Sequence, residues 1–386
     1  MKQITVLTAT RAEYGLLKPL ITALKECGKY DVRVVVTGAH LSPDFGYTYK
    51  EIENDGIEID GKIPILENSD TPAAISRSMG RAMIGFSEYF ENNKPDALVI
   101  LGDRYEALAV VIAAMNERIP IIHLYGGDTT EGAIDEAVRH AISKLSYLHL
   151  VSTDESRNRV IQMGENPNRV FAVGTLGVEN CLKMSLLSRD ELANSLGIDI
   201  SGKYAIVTFH PVTLENNSAK VQCDELTKAL DEFPDVKFII TKANADANGR
   251  IINQLMEEYA NSRDNVELFD SLGVRRYLSA VKYAIMVIGN SSSGLSEVPS
   301  FHVPTVNIGD RQKGRLRADS VIDCEPKAED IIGAMKKAQS DEFKDICMNC
   351  VNPYGDGETT PKMLAAIDDM FEKGIDLKKK FYDIPV

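Results

Sequence analysis

AIMVIGNSSSGLSEVP, residues 284–299, holds the pattern on which the rest of the chain is built. A near-continuous apolar run stops at Gly289, three serines follow, and a helix start comes next. Serine is indifferent inside a helix but a strong N-cap, because its hydroxyl satisfies backbone N–H groups left over in the first turn. Those same N–H groups, with the helix dipole behind them, bind phosphate. The stretch is either a plain cap after a buried strand or an anion cradle, and the surrounding sequence has to separate the two.

The strand–loop–helix unit recurs on both sides. QITVLTA, DVRVVVTG, DALVILG, IPIIHLYG, YLHLVST and RVFAVG fill the first half, with helical segments such as AAISRSMGRAMIGFSEYFENN and YEALAVVIAAMNE between them. YAIVTFH, VKFIITK, NVELFD, AIMVIG and VPTVNIG fill the second. Val/Ile runs alternating with helices indicate parallel sheets covered on both faces. The first series ends near Gly174 and the second opens near Lys203, with a helical, Gly- and Asp-punctuated stretch between them as a linker. The reading is α/β: two Rossmann-like, doubly wound domains, 1–180 and 181–373, and a C-terminal tail, 374–386.

Bulk properties narrow the function. At 386 residues the chain exceeds one ordinary core. Its formal charge of −14 argues against a broad nucleic-acid surface, which needs excess Lys and Arg. The N-terminus MKQITVLTATRAEYG lacks the apolar region of a signal peptide, and no stretch approaches a membrane span. The six cysteines form no scaffold pattern and fit reduced thiols in a cytoplasm. Cys347-Met-Asn-Cys350 has no second pair at metal-site spacing, so no metal is expected.

In doubly wound sheets, ligands sit beyond the carboxyl ends of the strands. Polar residues stand at those ends: Thr10-Arg11-Ala12-Glu13, Asp103-Arg104-Tyr105-Glu106, Tyr125-Gly126-Gly127-Asp128, Phe209-His210-Pro211, Lys242-Ala243-Asn244, Asn290-Ser291-Ser292-Ser293 and Asp310-Arg311-Gln312-Lys313-Gly314-Arg315. Any one of these is explained by a solvated loop; the set lies where the fold would place a cleft. Arg311, Lys313, Arg315 and Arg317 concentrate basic charge in an acidic chain, as an anion site requires. Neither G-x-G-x-x-G after the first strand nor a P-loop is present, nor is a G-x-S-x-G elbow. The pattern suits a phosphorylated ligand without a redox cofactor, and no cofactor is expected.

TATRAEYG, LGDRYEALA, HLYGGDTTEGAIDEAVRHAISK, TFHPVT, IGNSSSGLSEVPSFHVPTVNIGDRQKGR and FYDIP together resemble the hydrolysing UDP-N-acetylglucosamine 2-epimerases of the sialic- and legionaminic-acid pathways. The resemblance runs over essentially the whole chain. It implies a GT-B-like architecture with a cleft between the domains, a homodimer or homotetramer, and a UDP-sugar substrate. It also implies roles. Arg11 and Arg104 would face the sugar nucleotide from the first domain, and His210, Asn244, Ser291, Ser292, Glu297 and Arg311 from the second. Asp103 and Asp135 match the family's catalytic carboxylates. Asp128 stands where the family has Glu, and Tyr125 where it often has Glu or His; a glutamate at the Tyr125 position has a catalytic role in members that carry it.

The implied chemistry accounts for these residue types. The carbon 2 proton of a 2-acetamido sugar is removed only as UDP leaves, so positive charge and N–H dipoles must receive the diphosphate. Hydration of the resulting glycal then needs a second proton-handling group. Asp103, Asp128, Asp135 and His210 are the acid/base candidates, and Glu297 suits ribose hydroxyls rather than phosphate. Asp103 also reads as a helix N-cap and Asp135 as a first-turn carboxylate. His123, His140 and His149 read as structural. A GT-B glycosyltransferase and a non-catalytic sugar-nucleotide sensor are the competing functions. The sugar itself, N-acetylglucosamine or 2,4-diacetamido-2,4,6-trideoxyglucose, is not fixed by these residues.

Overall fold

The computed structural model describes residues 1–67, 69, 71–130, 134–211, 218–243 and 249–384. Among the described residues thirteen strands form two sheets, and every strand pairing there is parallel. The first contains β1 (Lys2–Thr8), β2 (Tyr30–Thr37), β3 (Ile59–Ile63), β4 (Ala97–Leu101), β5 (Ile121–Leu124), β6 (Leu148–Val151) and β7 (Val170–Ala172). Its order is β3-β2-β1-β4-β5-β6-β7. The second contains β8 (Tyr204–Thr208), β9 (Lys237–Thr241), β10 (Val266–Phe269), β11 (Val287–Gly289), β12 (Thr305–Ile308) and β13 (Val321–Cys324), in the order β10-β9-β8-β11-β12-β13. Both are doubly wound: the chain works outward from a central strand, then returns to its other side.

Period-two alternation shows why the strands read as unbroken apolar runs. Ile4 and Val6, Val34 and Val36, and Ala97 and Val99 enter one core cluster. Their sequence neighbours Leu7, Val35, Leu98 and Ile100 enter another. In the second sheet Ala205, Val207, Phe238 and Ile240 share one cluster, and Tyr204, Ile206 and Ile239 the other. Each sheet thus buries both faces, as parallel sheets with crossover helices must.

The chain divides into two compact units, 1–128 with 135–179 and 355–386, and 129–134 with 180–354. This corrects the expected extent of the second domain, 181–373. The helix Thr359–Lys373 belongs to the first unit, where Met363, Ala366, Ile367 and Met370 share the core of Leu17, Leu20 and Ile21. Thr359 donates to the Thr175 carbonyl (3.1 Å), and the Thr360 amide to Glu179 (2.7 Å). An apolar helical stripe carries no address, and sequence proximity assigned it to the wrong sheet. The expected tail 374–386 starts just after this helix. Its described part lies on the same unit: the Tyr382 amide donates to the Gly164 carbonyl (2.9 Å), and Lys379 to the Ser146 carbonyl (2.6 Å).

Winding reverses between β1 and β4 in the first sheet and between β8 and β11 in the second. The loops that leave the carboxyl ends of these strands are where doubly wound folds place ligands.

Candidate active site

At the reversal point of the first sheet, β4 runs into Gly102-Asp103-Arg104. Asp103 is not the cap of the following helix, Tyr105–Asn116; Arg104 occupies that position and makes no side-chain cap. The Asp103 carboxylate instead engages Arg139, whose Nε (2.8 Å) and second guanidinium nitrogen both donate to Oδ2. Arg139 is 1% exposed, while about a quarter of the Asp103 side chain, 26%, remains open to solvent. The same guanidinium donates to the Asp128 carbonyl (2.7 Å) and to Glu136 (3.2 Å). A buried arginine is tolerated only when its donors are met, and here they lock one face of Asp103 and the Asp128 loop into one frame.

The helix Asp135–Leu145 supplies that arginine, and one turn later supplies Ser143. The Ser143 hydroxyl donates to Nδ1 of His123 (3.2 Å), whose Nε2–H donates to the Gly102 carbonyl (2.7 Å), one residue before Asp103. Burial pushes His123 down to about 3, so the ring is neutral and serves as a strut. Asp135 opens this helix and is half-exposed.

Asp128 follows β5. Its Oδ1 accepts from Ser152 (2.5 Å) and Ser156 (2.6 Å). The turn needs glycine before it: Gly127 has φ +78°, and a Cβ there would lie 2.3 Å from the Ser156 carbonyl oxygen. Tyr125 also sits at positive φ, 67°, and its hydroxyl accepts the Leu176 amide (2.6 Å) at the start of the helix Leu176–Lys183. The side chain at this position is therefore committed to a helix end.

Arg104 donates to Glu106 (2.6 Å), and Arg11 pairs with Glu51 (2.9 Å) on the helix Tyr49–Asn54. The two arginines are thus anchored on different carboxylates.

At the reversal point of the second sheet, Gly289 ends β11 with φ +133°, and a Cβ there would meet the Thr208 carbonyl oxygen at 1.9 Å. This contact draws the loops after β8 and β11 together. Asn290, 1% exposed, accepts the His210 amide (2.7 Å) and donates back to the His210 carbonyl (2.8 Å). The Asn290 carbonyl receives Arg311 (3.1 Å) and Gln312 (2.9 Å). Burial, then the Arg311 charge, push His210 down to about 3, so its ring is neutral at physiological pH.

The serines depart from the expected cap. The helix they open is one turn, Ser293–Ser296; Ser292 is its N-cap but makes no side-chain cap, and the Ser291 hydroxyl accepts the Ser293 amide (3.4 Å). Glu297 accepts from the Ser293 hydroxyl, and burial raises its carboxyl above the usual range. Within the basic run, Arg317 is spent on Asp323 (2.5 Å) and Arg315 on the Thr129 carbonyl (3.2 Å). Arg311, which donates to the Asn290 carbonyl, lies beside His210. Asn244 lies outside the described residues.

Of the sequence candidates, the structure thus ties Asp103 to the Asp128 loop, and His210 to Arg311. Of the residues that do the tying, Asn290 stands among the strand-end polar residues read from sequence, and Arg139 does not. Arg139 left one usable signal: it lies on the same helical stripe as buried Ile142 and Ser143, where a cation needs an anionic partner.

The fold is shared with solved structures. A UDP-N-acetylglucosamine 2-epimerase from Neisseria meningitidis, solved with UDP-N-acetylglucosamine, superimposes with a TM-score of 0.81 at 18% identity, covering 96% of this chain and all of that one. Two parallel-sheet, Rossmann-like domains of the GT-B-like class are therefore the architecture. Residues 22–368 match the family described as Epimerase_2, UDP-N-acetylglucosamine 2-epimerase. The GDP/UDP-N,N'-diacetylbacillosamine 2-epimerase (hydrolyzing) of Campylobacter jejuni is 43% identical over 344 residues, 89% of each chain. Polysialic acid biosynthesis protein P7 of Escherichia coli is 39% identical over 386 residues, all of this chain and 98% of its own. The chain belongs to the UDP-N-acetylglucosamine 2-epimerase family, in its hydrolysing, enzymatic branch.

Proposed function

We propose that this enzyme converts a UDP-activated 2-acetamido sugar, UDP-N-acetylglucosamine or UDP-2,4-diacetamido-2,4,6-trideoxyglucose, into UDP and the free manno-configured sugar, for nonulosonic (sialic or legionaminic) acid synthesis. The second sugar is the one carried in the name of the Campylobacter relative. The observation that carries the reading is Asp103, partly open at a strand end and held through one oxygen by the buried Arg139.

In this reading Asp103 takes the carbon 2 proton while the bond from carbon 1 to the UDP oxygen breaks, leaving a carbon 1–carbon 2 double bond. Water then adds to carbon 1, and a proton returns to carbon 2 from the opposite face. Asp128 and Asp135 are the first unit's candidates for that second transfer. Arg311 and the backbone N–H groups around Ser291 and Ser292 take up the diphosphate charge, with His210 as a neutral hydrogen-bonding partner rather than a cationic acid. Arg11, Arg104 and Asn244 contact the nucleotide sugar, and Glu297 takes ribose hydroxyls, with a proton favoured by its burial.

Tyr125 gives the sensor reading no support, because its hydroxyl is already committed to a structural role. The reading needs no bound cofactor or metal. Six free cysteines suit work in the cytoplasm, and a homodimer or homotetramer is the assembly proposed with this reading. No helix among the described residues is long and apolar enough to cross a membrane. The test is UDP release from each UDP-sugar in buffer with no acceptor present. Release at tens of turnovers or more supports an epimerase; a strict need for an acceptor sugar would point to a transferase instead.

A further inference from the structure

The helix Asp135–Leu145, which delivers Arg139 to Asp103, is closed at its other end by a distant part of the chain. The last carbonyls of a helix have no partner within it. Two of them are met locally: Ser146 donates through its amide to the Ser143 carbonyl (3.1 Å) and through its hydroxyl to the Ile142 carbonyl (2.7 Å). Lys379 meets the rest of this turn. Its ammonium donates to the Lys144 carbonyl (2.9 Å) and the Ser146 carbonyl (2.6 Å), and pairs with Glu165 (2.7 Å). A lysine has three N–H donors, and these contacts use all three. The charge also faces the negative pole of the helix dipole.

The tail is held so that this lysine and not its neighbours turns inward. Lys378 and Lys380 are exposed, while Lys379 is half-buried. Two residues on, the Phe381 ring lies against Gly164, where a Cβ would overlap it, and the Tyr382 amide donates to the Gly164 carbonyl (2.9 Å). Lys144 stands 5.1 Å from the centre of the Phe381 ring and donates to Glu165 (2.6 Å). The segment 379–382 is thereby docked on the end of one helix and on the turn after another, Asp154–Gln162.

What this end fixes is close to the chemistry. Arg139 lies about one and a half turns before Lys144, and an 11-residue helix does not hold its shape without outside support. From the same helix Ser143 reaches His123, and His123 the Gly102 carbonyl beside Asp103. We propose that Lys379 is a positioning residue for the elimination: by closing this helix it holds Arg139, and through Arg139 the Asp103 carboxylate, in the orientation that proton removal requires. The proposal rests on Asp103 as the base and deepens that reading.

The experiment compares Lys379→Met, which keeps the stem and removes every donor, with Lys379→Gln, which keeps two donors without the charge. Lys380→Met, on the exposed neighbour, is the control. In both Lys379 variants Glu165 retains Lys144 and His149 as partners, so no buried carboxylate is stranded. Rates are measured with the UDP-sugar and expressed per UDP-binding site counted by calorimetry, so that unfolded chains drop out. Lys379→Met should lower kcat about tenfold with KM within about twofold, a part of the roughly hundredfold loss that a displacement of about an ångström brings. Lys379→Gln should show a smaller loss in the same direction, and Lys380→Met none. Placed on Asp103→Asn, Lys379→Met should lower the residual kcat by less than about twofold, because both changes act through one carboxylate. Wild-type kcat per site in Lys379→Met or Lys379→Gln, or an equal loss with and without Asp103, overturns this proposal alone. Full activity of Asp103→Asn by itself overturns it together with the role given to Asp103.

Discussion

Asp103 shows what single residues in this site depend on. Its place at a strand end was legible in LGDRYE, but its orientation was not, because the group that fixes it lies 36 positions away in sequence. Spacing rules connect residues within one element; they are blind to an arginine delivered from a different helix. On the proposed mechanism Asp103→Asn keeps the shape and removes the base, so kcat should fall by about a thousandfold, while UDP binding by calorimetry stays within a few-fold. Full activity in that variant removes Asp103 from the mechanism. Tyr125 makes the converse case. Loss of its hydroxyl leaves the Leu176 amide without its acceptor, so Tyr125→Phe should cost about 1–2 kcal/mol in urea unfolding, with kcat unchanged within twofold. A large fall in kcat at unchanged stability would make Tyr125 an acid/base after all.

At the scale of elements, the sequence reading missed one edge strand of each sheet. β3 (IDGKI) alternates half-buried and exposed residues, and β13 (VIDC) carries an exposed Asp. Both are edge strands, which need not be apolar on both faces and so lack the Val/Ile run that marked the central ones. The tail is held by a different device. Glu165, 1% exposed, is met by Lys144 (2.6 Å), Lys379 (2.7 Å) and His149 (3.2 Å). Burial alone would raise its carboxyl, but the His149, Lys144 and Lys379 hydrogen bonds outweigh burial and hold it at about 2. The sign follows: a depressed carboxyl contributes stability that is fully present above its ordinary value of 4.5 and is lost as pH falls toward 2. Glu165→Gln should cost on the order of 2 kcal/mol at neutral pH, less than a fully enclosed pair because Lys144 is partly exposed. Its melting temperature should also fall less steeply than the wild type's below about pH 4.5. Equal acid sensitivity in both proteins would show that Glu165 does not carry the effect.

For the molecule as a whole, the repeated strand–helix rhythm was enough to read two doubly wound sheets, because both faces of each central strand are buried. The ownership of the last helix was not legible, since nothing in its apolar stripe says which sheet it covers. Both sheets reverse their winding beside the residues singled out from sequence: Asp103 and Arg104 in one, His210 and Ser291 in the other. On the proposed mechanism UDP leaves as the carbon 2 proton is removed, and a solvent proton later replaces it. The most direct measurement is NMR in deuterated water with each UDP-sugar in turn. The account predicts UDP release together with a free manno-configured sugar that carries deuterium at carbon 2. A freed sugar that keeps its gluco configuration and its original hydrogen at carbon 2 would contradict it.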